Sequence, residues 1–339
     1  MRRLAPVLFP AVVGALAVLA APAEAGVLRD RLYDPGDGVL VVAHRACHQP
    51  APSHGFEQPV PENSLAALER CIALGVDLVE IDVRRTRDGD LIVMHDAKVD
   101  RTTDGKGRVS NLTLAQVQAL RLKDAHGGTE APPTLEAFLR AARGRILVNI
   151  DLKGSLAGEA AQIVRRADAA DWVLFKARVR LDAPPIADLP LYRGLAFMPM
   201  VASKAAKRAP GLAQITARQA SGDRQIPAVE MVALKRQGFV AVRDAARAAR
   251  IRVWTNTLAT KGLRGVLDQS GDRKALRDPD KAWGRLIDQG VSIVQTDYPT
   301  ALLDYLDNRG LRGHVPTSIA TADVESSAPA PLGASSRSR

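Results

Sequence analysis

Nine short apolar runs recur along the chain, beginning at residues 39, 78, 91, 146, 172, 195, 228, 251 and 292, and stretches with helical spacing separate most of them. This alternation limits the fold more than any other feature. Strands that alternate with helices bury their apolar faces by lying parallel in one sheet with the helices packed outside it. Residues 64–74 show the helical pattern: Leu65, Leu68 and Ile72 share a face, and Gly75 supplies a stop. Residues 113–120, 134–142, 157–167, 240–249 and 301–306 read the same way. The run at 91 follows the turn signal Arg87-Asp88-Gly89-Asp90 and is an added hairpin strand. Eight βα units remain. In roughly 290 residues they suit an α/β fold of the (β/α)8 TIM-barrel type, with a short insertion after the second barrel strand. A doubly wound open sheet is the alternative, but no Gly-x-Gly-x-x-Gly follows the first run.

The ends carry a different pattern. Met1-Arg2-Arg3 precedes an apolar stretch from Leu4 to about Ala21, then Ala23-Glu24-Ala25 before Gly26. A basic start, an apolar segment and a small-x-small site make a secretory signal, and Pro6, Pro10 and Pro22 argue against an uncleaved membrane anchor. From Pro316 onward Ser, Ala, Thr and Pro dominate, with little to bury. The expected organisation is therefore a signal peptide over 1–25, a barrel domain over 26–315 and a disordered tail over 316–339. The expected location is periplasmic or extracellular. Export permits a disulfide between Cys47 and Cys71, although two buried thiols fit the sequence equally. With 2 Cys in all, a disulfide scaffold and a four-cysteine zinc site are excluded.

The chain carries 47 Lys and Arg against 37 Asp and Glu, a net charge of +10. Removing residues 1–25 takes away Arg2, Arg3 and Glu24, one net positive charge. The balance favours anionic partners such as phosphodiesters or the surface of an anionic membrane, though a basic composition alone accounts for it as well. Aromatics make up only 4%, and no basic run is interleaved with them, so nucleic acid is not an expected partner.

Polar residues gather where the apolar runs end. His44-Arg45 closes the first, His95-Asp96 closes the hairpin strand, and Asp151 and Lys153 close the run that begins at 146. Glu80 and Asp82 share one face of the second run, because side chains alternate with period two. The C-terminal ends of barrel strands are where such folds build their sites. Two carboxylates on one buried face are costly unless compensated, and a hard divalent cation held by Glu80, Asp82 and Asp151 would do so. An ion-pair network with Arg84, Arg85 or Lys153 is the simpler account. Oxygen ligands without a Cys or His cluster favour Mg²⁺ or Ca²⁺ over zinc. His44 and His95 fit a general acid–base pair. Arg45 and Lys153 are cations suited to holding a phosphate, or to balancing Glu80 and Asp151.

These residues belong to an ordered series: His44-Arg45-Ala46, Pro61-Glu62-Asn63-Ser64, Glu80-Ile81-Asp82-Val83, Asp88-Gly89, His95-Asp96, Asp100-Arg101-Thr102-Thr103, Pro133-Thr134-Leu135, Asp151-Leu152-Lys153, Val253-Trp254-Thr255 and Thr296-Asp297-Tyr298-Pro299. The series resembles the glycerophosphodiester phosphodiesterase family from about residue 41 to about residue 306, most weakly between 173 and 240. The resemblance implies a metal-dependent barrel that hydrolyses phosphodiesters, with one divalent cation as cofactor. It matches His44 and His95 to the acid–base pair, Glu80 and Asp82 to metal ligands, Asp151 to the third ligand, and Arg45 and Lys153 to phosphate contacts. It gives Glu62 a supporting role beside the site. Trp254 matches a rim aromatic, with core packing as the alternative. The chain departs from the family at Ala46, where Gly is favoured, and at Asp151, where Glu is usual. The first loop, residues 47–60, is lengthened, and its His48 and His54 read as surface residues.

The implied reaction is hydrolysis of a glycerophosphodiester to an alcohol and glycerol 3-phosphate. One His takes a proton from the nucleophile and the other protonates the departing alcohol. Two other readings fit the residues less well. One is a phospholipase D-like enzyme acting on lysophospholipids or phospholipids. The other is a catalytically silent barrel that binds phosphate or a lipid headgroup, which has no need of two histidines.

Overall fold

The computed structural model describes residues 23–124, 128–206, 208–258 and 271–313. The expected leader up to residue 22 and the expected tail from 316 lie outside the described residues. Eight parallel strands close into a barrel: β1 (Leu40–His44), β2 (Leu78–Arg85), β4 (Leu147–Leu152), β5 (Val173–Arg178), β6 (Ala196–Ala202), β7 (Ala228–Val232), β8 (Arg252–Asn256) and β9 (Ile293–Thr296). Closure comes from β1, which pairs with β2 on one side and β9 on the other. The remaining strand, β3 (Leu91–Val93), pairs antiparallel with the end of β2, as the turn signal at 87–90 requires.

The connecting helices are α2 (Leu65–Ala73), α4 (Leu135–Ala142), α5 (Ala157–Arg166), α6 (Ala209–Ala220), α7 (Arg236–Ala248) and α10 (Pro299–Asn308), with short turns α8 (Asp272–Ala275) and α9 (Arg285–Asp288) before β9. Several begin where the sequence offers a cap. The Ser64 hydroxyl accepts from the Ala67 N–H, and Thr134 does the same for Ala137. Outward strand residues such as Val41, Ile81, Ile150, Phe175 and Val229 pack beneath these helices in one continuous core. The insertion between β2 and α4 contains β3 and α3 (Leu114–Gln118). It has an apolar cluster of its own: Ile92, Met94, Val99, Val109 and Val117.

One helix lies outside the alternation of strands and helices. α1 (Ala23–Tyr33) closes the N-terminal mouth of the barrel. Its Leu28 and Leu32 pack on Leu40, Val42, Leu78, Leu147, Leu174 and Ile293, the first inward layer of the strands. Arg31 donates to Asp77 at 2.5 Å. The buried Arg252 guanidinium donates to the carbonyls of Arg31, Asp34, Asp37 and Gly38, fixing the turn that leads into β1. Cys47 and Cys71 form a disulfide that ties the loop after β1 to α2, which decides the choice the sequence left open.

Candidate active site

Register places the carboxylates together. Asp82 on β2 lies opposite Asp151 on β4, and Glu80 opposite His44 on β1. Ligand oxygens of Glu80, Asp82 and Asp151 lie within 4.8 Å of one another. Glu80 and Asp82 are each 1% exposed, whereas Asp151 is half-buried. All the donors are carboxylate oxygens, the donor set of a hard divalent cation. Among the described residues Glu80 is held only by long contacts, from the Arg45 N–H at 3.3 Å and from Lys176 Nζ at 3.9 Å. Burial and the charge of Asp82 raise its pKa to about 7. A buried carboxylate so loosely partnered fits a cation ligand. The simpler ion-pair account is also partly realised. Lys153 Nζ lies 2.7 Å from Asp82 and 3.0 Å from Asp151. Burial alone would raise both carboxyls, but the lysines beside them hold both below their ordinary value. Arg84 and Arg85 take no part in that pairing: Arg84 donates to the His95 carbonyl and Arg85 to Glu159.

Both histidines are pinned through Nδ1. His44 Nδ1 lies 2.7 Å from Asp297 and His95 Nδ1 lies 2.7 Å from Asp96. Burial works against the His44 imidazolium, yet the hydrogen bond to Asp297 and the charges of Glu80 and Asp297 outweigh it and raise the pKa. With Nδ1 engaged, Nε2 is the nitrogen left for proton transfer in each ring. His95 acts electrostatically on Asp82 and Asp151, so both imidazoles border the acidic cluster.

Arg45 and Ala46 occupy the left-handed region, at φ 56° and 62°. This tight reversal turns the Arg45 N–H onto Glu80 and explains why glycine suits position 46. The Arg45 side chain reaches Glu62 at 3.1 Å and Asp82 at 3.4 Å. Glu62 also accepts from Arg101, which grips Asp96, so the loop before α2 and the insertion are cross-braced beside His95. Asn63, in the left-handed region at φ 58°, donates to Asp82 Oδ2 and accepts from the Asp82 N–H.

Two expectations need correction. Trp254 is not a rim aromatic. It is fully buried in the first inward layer, with Leu40, Leu78 and Met198, and its indole N–H donates to Asn256. Trp254 is the third residue of β8, two before its end at Asn256, and is in register with Glu230 and Ile293 below the rim. His48 is half-buried rather than a surface residue. It lies near enough to the site to feel the charges of Asp297, Glu62 and His44. His54 pairs with Asp304 away from the cluster.

The sequence reading missed a buried line of charge beneath the cluster. Lys176 on β5 lies within 4.0 Å of Glu80, Asp151 and Glu230, and Asn256 donates to Glu230. Glu230 interrupts an apolar run at an inward position, a signal that period two makes readable. Asp272 was missed as well. It accepts from Thr257, Thr296 and the Asp297 N–H, and so fixes the residue that pins His44.

Fold and site together define a class: a closed (β/α)8 barrel whose C-terminal rim joins an acidic cluster to two carboxylate-pinned imidazoles. The chain belongs to the glycerophosphoryl diester phosphodiesterase family, whose model matches residues 44–301. It is 38% identical over 121 residues to a glycerophosphodiester phosphodiesterase of Caldanaerobacter subterraneus, covering 34% of this chain and 46% of that one. It is 36% identical over 130 residues to mouse glycerophosphodiester phosphodiesterase 1, covering 37% of each. The matched stretch thus spans less than half the length of these curated relatives. Among solved structures, the glycerophosphodiester phosphodiesterase of Agrobacterium tumefaciens superposes with a TM-score of 0.54 at 22% identity, over 78% of this chain and 98% of that one. An Oleispira antarctica phosphodiesterase in complex with the product sn-glycerol-3-phosphate superposes with a TM-score of 0.54 at 20% identity, over 80% and 97%. At these identities the likeness concerns the fold.

Proposed function

We propose that this chain hydrolyses glycerophosphodiesters to an alcohol and glycerol 3-phosphate, with Glu80, Asp82 and Asp151 holding one divalent cation, Mg²⁺ or Ca²⁺. The observation that carries the reading is the pair of imidazoles, each fixed through Nδ1 by an aspartate and both bordering the acidic cluster. A module that only bound phosphate would need no such pair. When bound, the cation supplies Lewis-acid stabilisation of the phosphoryl group. Arg45 and Lys153 bring positive charge to the same place, where charge builds on the phosphoryl oxygens. One imidazole accepts a proton from the attacking oxygen, either water or a neighbouring hydroxyl of the substrate. The other donates a proton to the departing alkoxide. Attack by the internal hydroxyl would give a cyclic phosphate. Glu62 holds Arg45 and Arg101 in place.

Export belongs to the same reading. A leader over residues 1–25 would deliver the enzyme to the periplasm or the exterior, and the Cys47–Cys71 disulfide is chemistry that persists in an oxidising compartment.

The test is assay of the purified protein on glycerophosphocholine, with and without chelator. Release of choline and glycerol 3-phosphate that stops on exhaustive metal removal is expected. Absence of release from glycerophosphocholine and from every other glycerophosphodiester tried overturns the hydrolase reading, and full turnover without metal overturns the cation assignment.

A further inference from the structure

A second cavity, of about 240 Å³, opens beside the acidic cluster between the insertion and the loop after β4. Its polar lining consists of Arg84, Arg85, Arg108, Lys153, Ser110 and Ser155, and no carboxylate lines it. Four cationic side chains around so small a space give it a positive potential that favours an anion. Lys153 is paired with Asp82 and Asp151 and Arg84 is half-buried, so the charge facing the opening is that of the exposed Arg85 and Arg108. Arg85 reaches only the exposed Glu159, in a surface pair that contributes little. The Arg108 side chain makes no hydrogen bond or ion pair with any other described residue.

The cavity adjoins the reaction site through two shared side chains. Lys153 lines it and also contacts Asp82 and Asp151, while Arg84 both lines it and holds the His95 carbonyl. A diester phosphate at the acidic cluster thus lies next to a basic chamber that one of its alcohol arms can enter. The insertion builds one wall, through Ala97 and residues 108–110.

We propose that this chamber is a subsite for a second phosphate. The preferred substrates are then glycerophosphodiesters whose alcohol arm carries a further phosphate, as a monoester or as another diester. This rests on the hydrolase reading above and adds to it a substrate class. Guanidinium and ammonium groups around a phosphate make charge-assisted hydrogen bonds, and the two serines add neutral donors.

The experiment compares matched substrates. Glycerophosphoinositol monophosphate is set against glycerophosphoinositol, and bis(glycerophospho)glycerol against glycerophosphoglycerol, with kcat/KM measured for each. The first pair tests a monoester and the second a diester as the source of the extra phosphate. A preference of about tenfold or more for the member with two phosphates in at least one pair is expected. It should shrink with added salt. Arg108→Ala should erode that preference, and Arg108→Glu should abolish it. Arg218→Glu, a charge reversal on the exposed face of α6 between β6 and β7, should leave it intact and so separates the chamber from net charge. Equal kcat/KM within both pairs, or a preference that survives Arg108→Glu, overturns the subsite. Inactivity on all four substrates and on glycerophosphocholine overturns the hydrolase reading itself, a distinct result.

Discussion

At His44 and His95 the useful chemistry resides in one ring nitrogen, because the other is committed to Asp297 or Asp96. His44→Ala and His95→Ala should each lower turnover of an unactivated diester by about 10²–10⁴-fold, as loss of a general acid or base does. A p-nitrophenyl ester, whose leaving group needs little protonation, should rescue whichever variant has lost the acid. A variant that keeps wild-type turnover on the unactivated diester removes that histidine from the mechanism. Asp297→Asn tests the pinning itself. Asp297 helps to raise the His44 pKa, by hydrogen bond and by charge, so its replacement lowers that pKa. The limb of the kcat/KM profile that reports His44 should then move to lower pH, and NMR titration of the imidazole should show the same direction. An unmoved limb and an unmoved titration would show that Asp297 does not set the His44 proton affinity.

Among the elements, α1 is one whose position the sequence concealed. Its residues show little apolar periodicity, and its first turn overlaps the small-residue site of the expected leader. Only the open mouth of the barrel gives Leu28 and Leu32 something to cover, and only there does Arg252 find the carbonyls of Arg31, Asp34, Asp37 and Gly38. Leu32 is 2% exposed, and Leu32→Ala should cost about 2–5 kcal/mol of stability. Because the plug lies at the opposite end from the acidic cluster, kcat should change little. Denaturant unfolding and a turnover assay on the same preparation check both parts. A small loss of stability would mean that the barrel floor closes without the plug. The strands were legible for the opposite reason. Their signal is local, short apolar runs with turn residues between them, and β3 was placed as a hairpin from Asp88-Gly89 alone.

For the molecule as a whole, the acidic cluster is a cost that a cation removes. Three carboxylates within 4.8 Å repel, and two lysines offset them only in part. A ligand that binds the folded state alone raises its stability. Millimolar Ca²⁺ or Mg²⁺ should therefore raise Tm, and calorimetric titration should give one site. Asp151→Asn keeps the shape and removes a charge, so it should weaken cation affinity sharply and abolish most of the Tm increase. Equal affinity for wild type and Asp151→Asn would show that Asp151 is a bystander and direct attention to Glu62.

The sequence by itself determined the barrel and the order of its parts, because strand periodicity and turn chemistry are short-range properties. For the same reason it put Glu80 and Asp82 on one inward face and placed His44, His95, Asp151 and Lys153 at strand ends. Tertiary structure alone decided what depends on height and closure within the barrel. It buried Trp254 in the first inward layer, set Lys176 between Glu80 and Glu230, and joined His44 to Asp297 across the β1–β9 seam. It also paired Cys47 with Cys71 and gathered Arg84, Arg108 and Lys153 around one chamber. Such contacts join residues far apart in the chain, and they exist only once the sheet has closed and each strand's register is set.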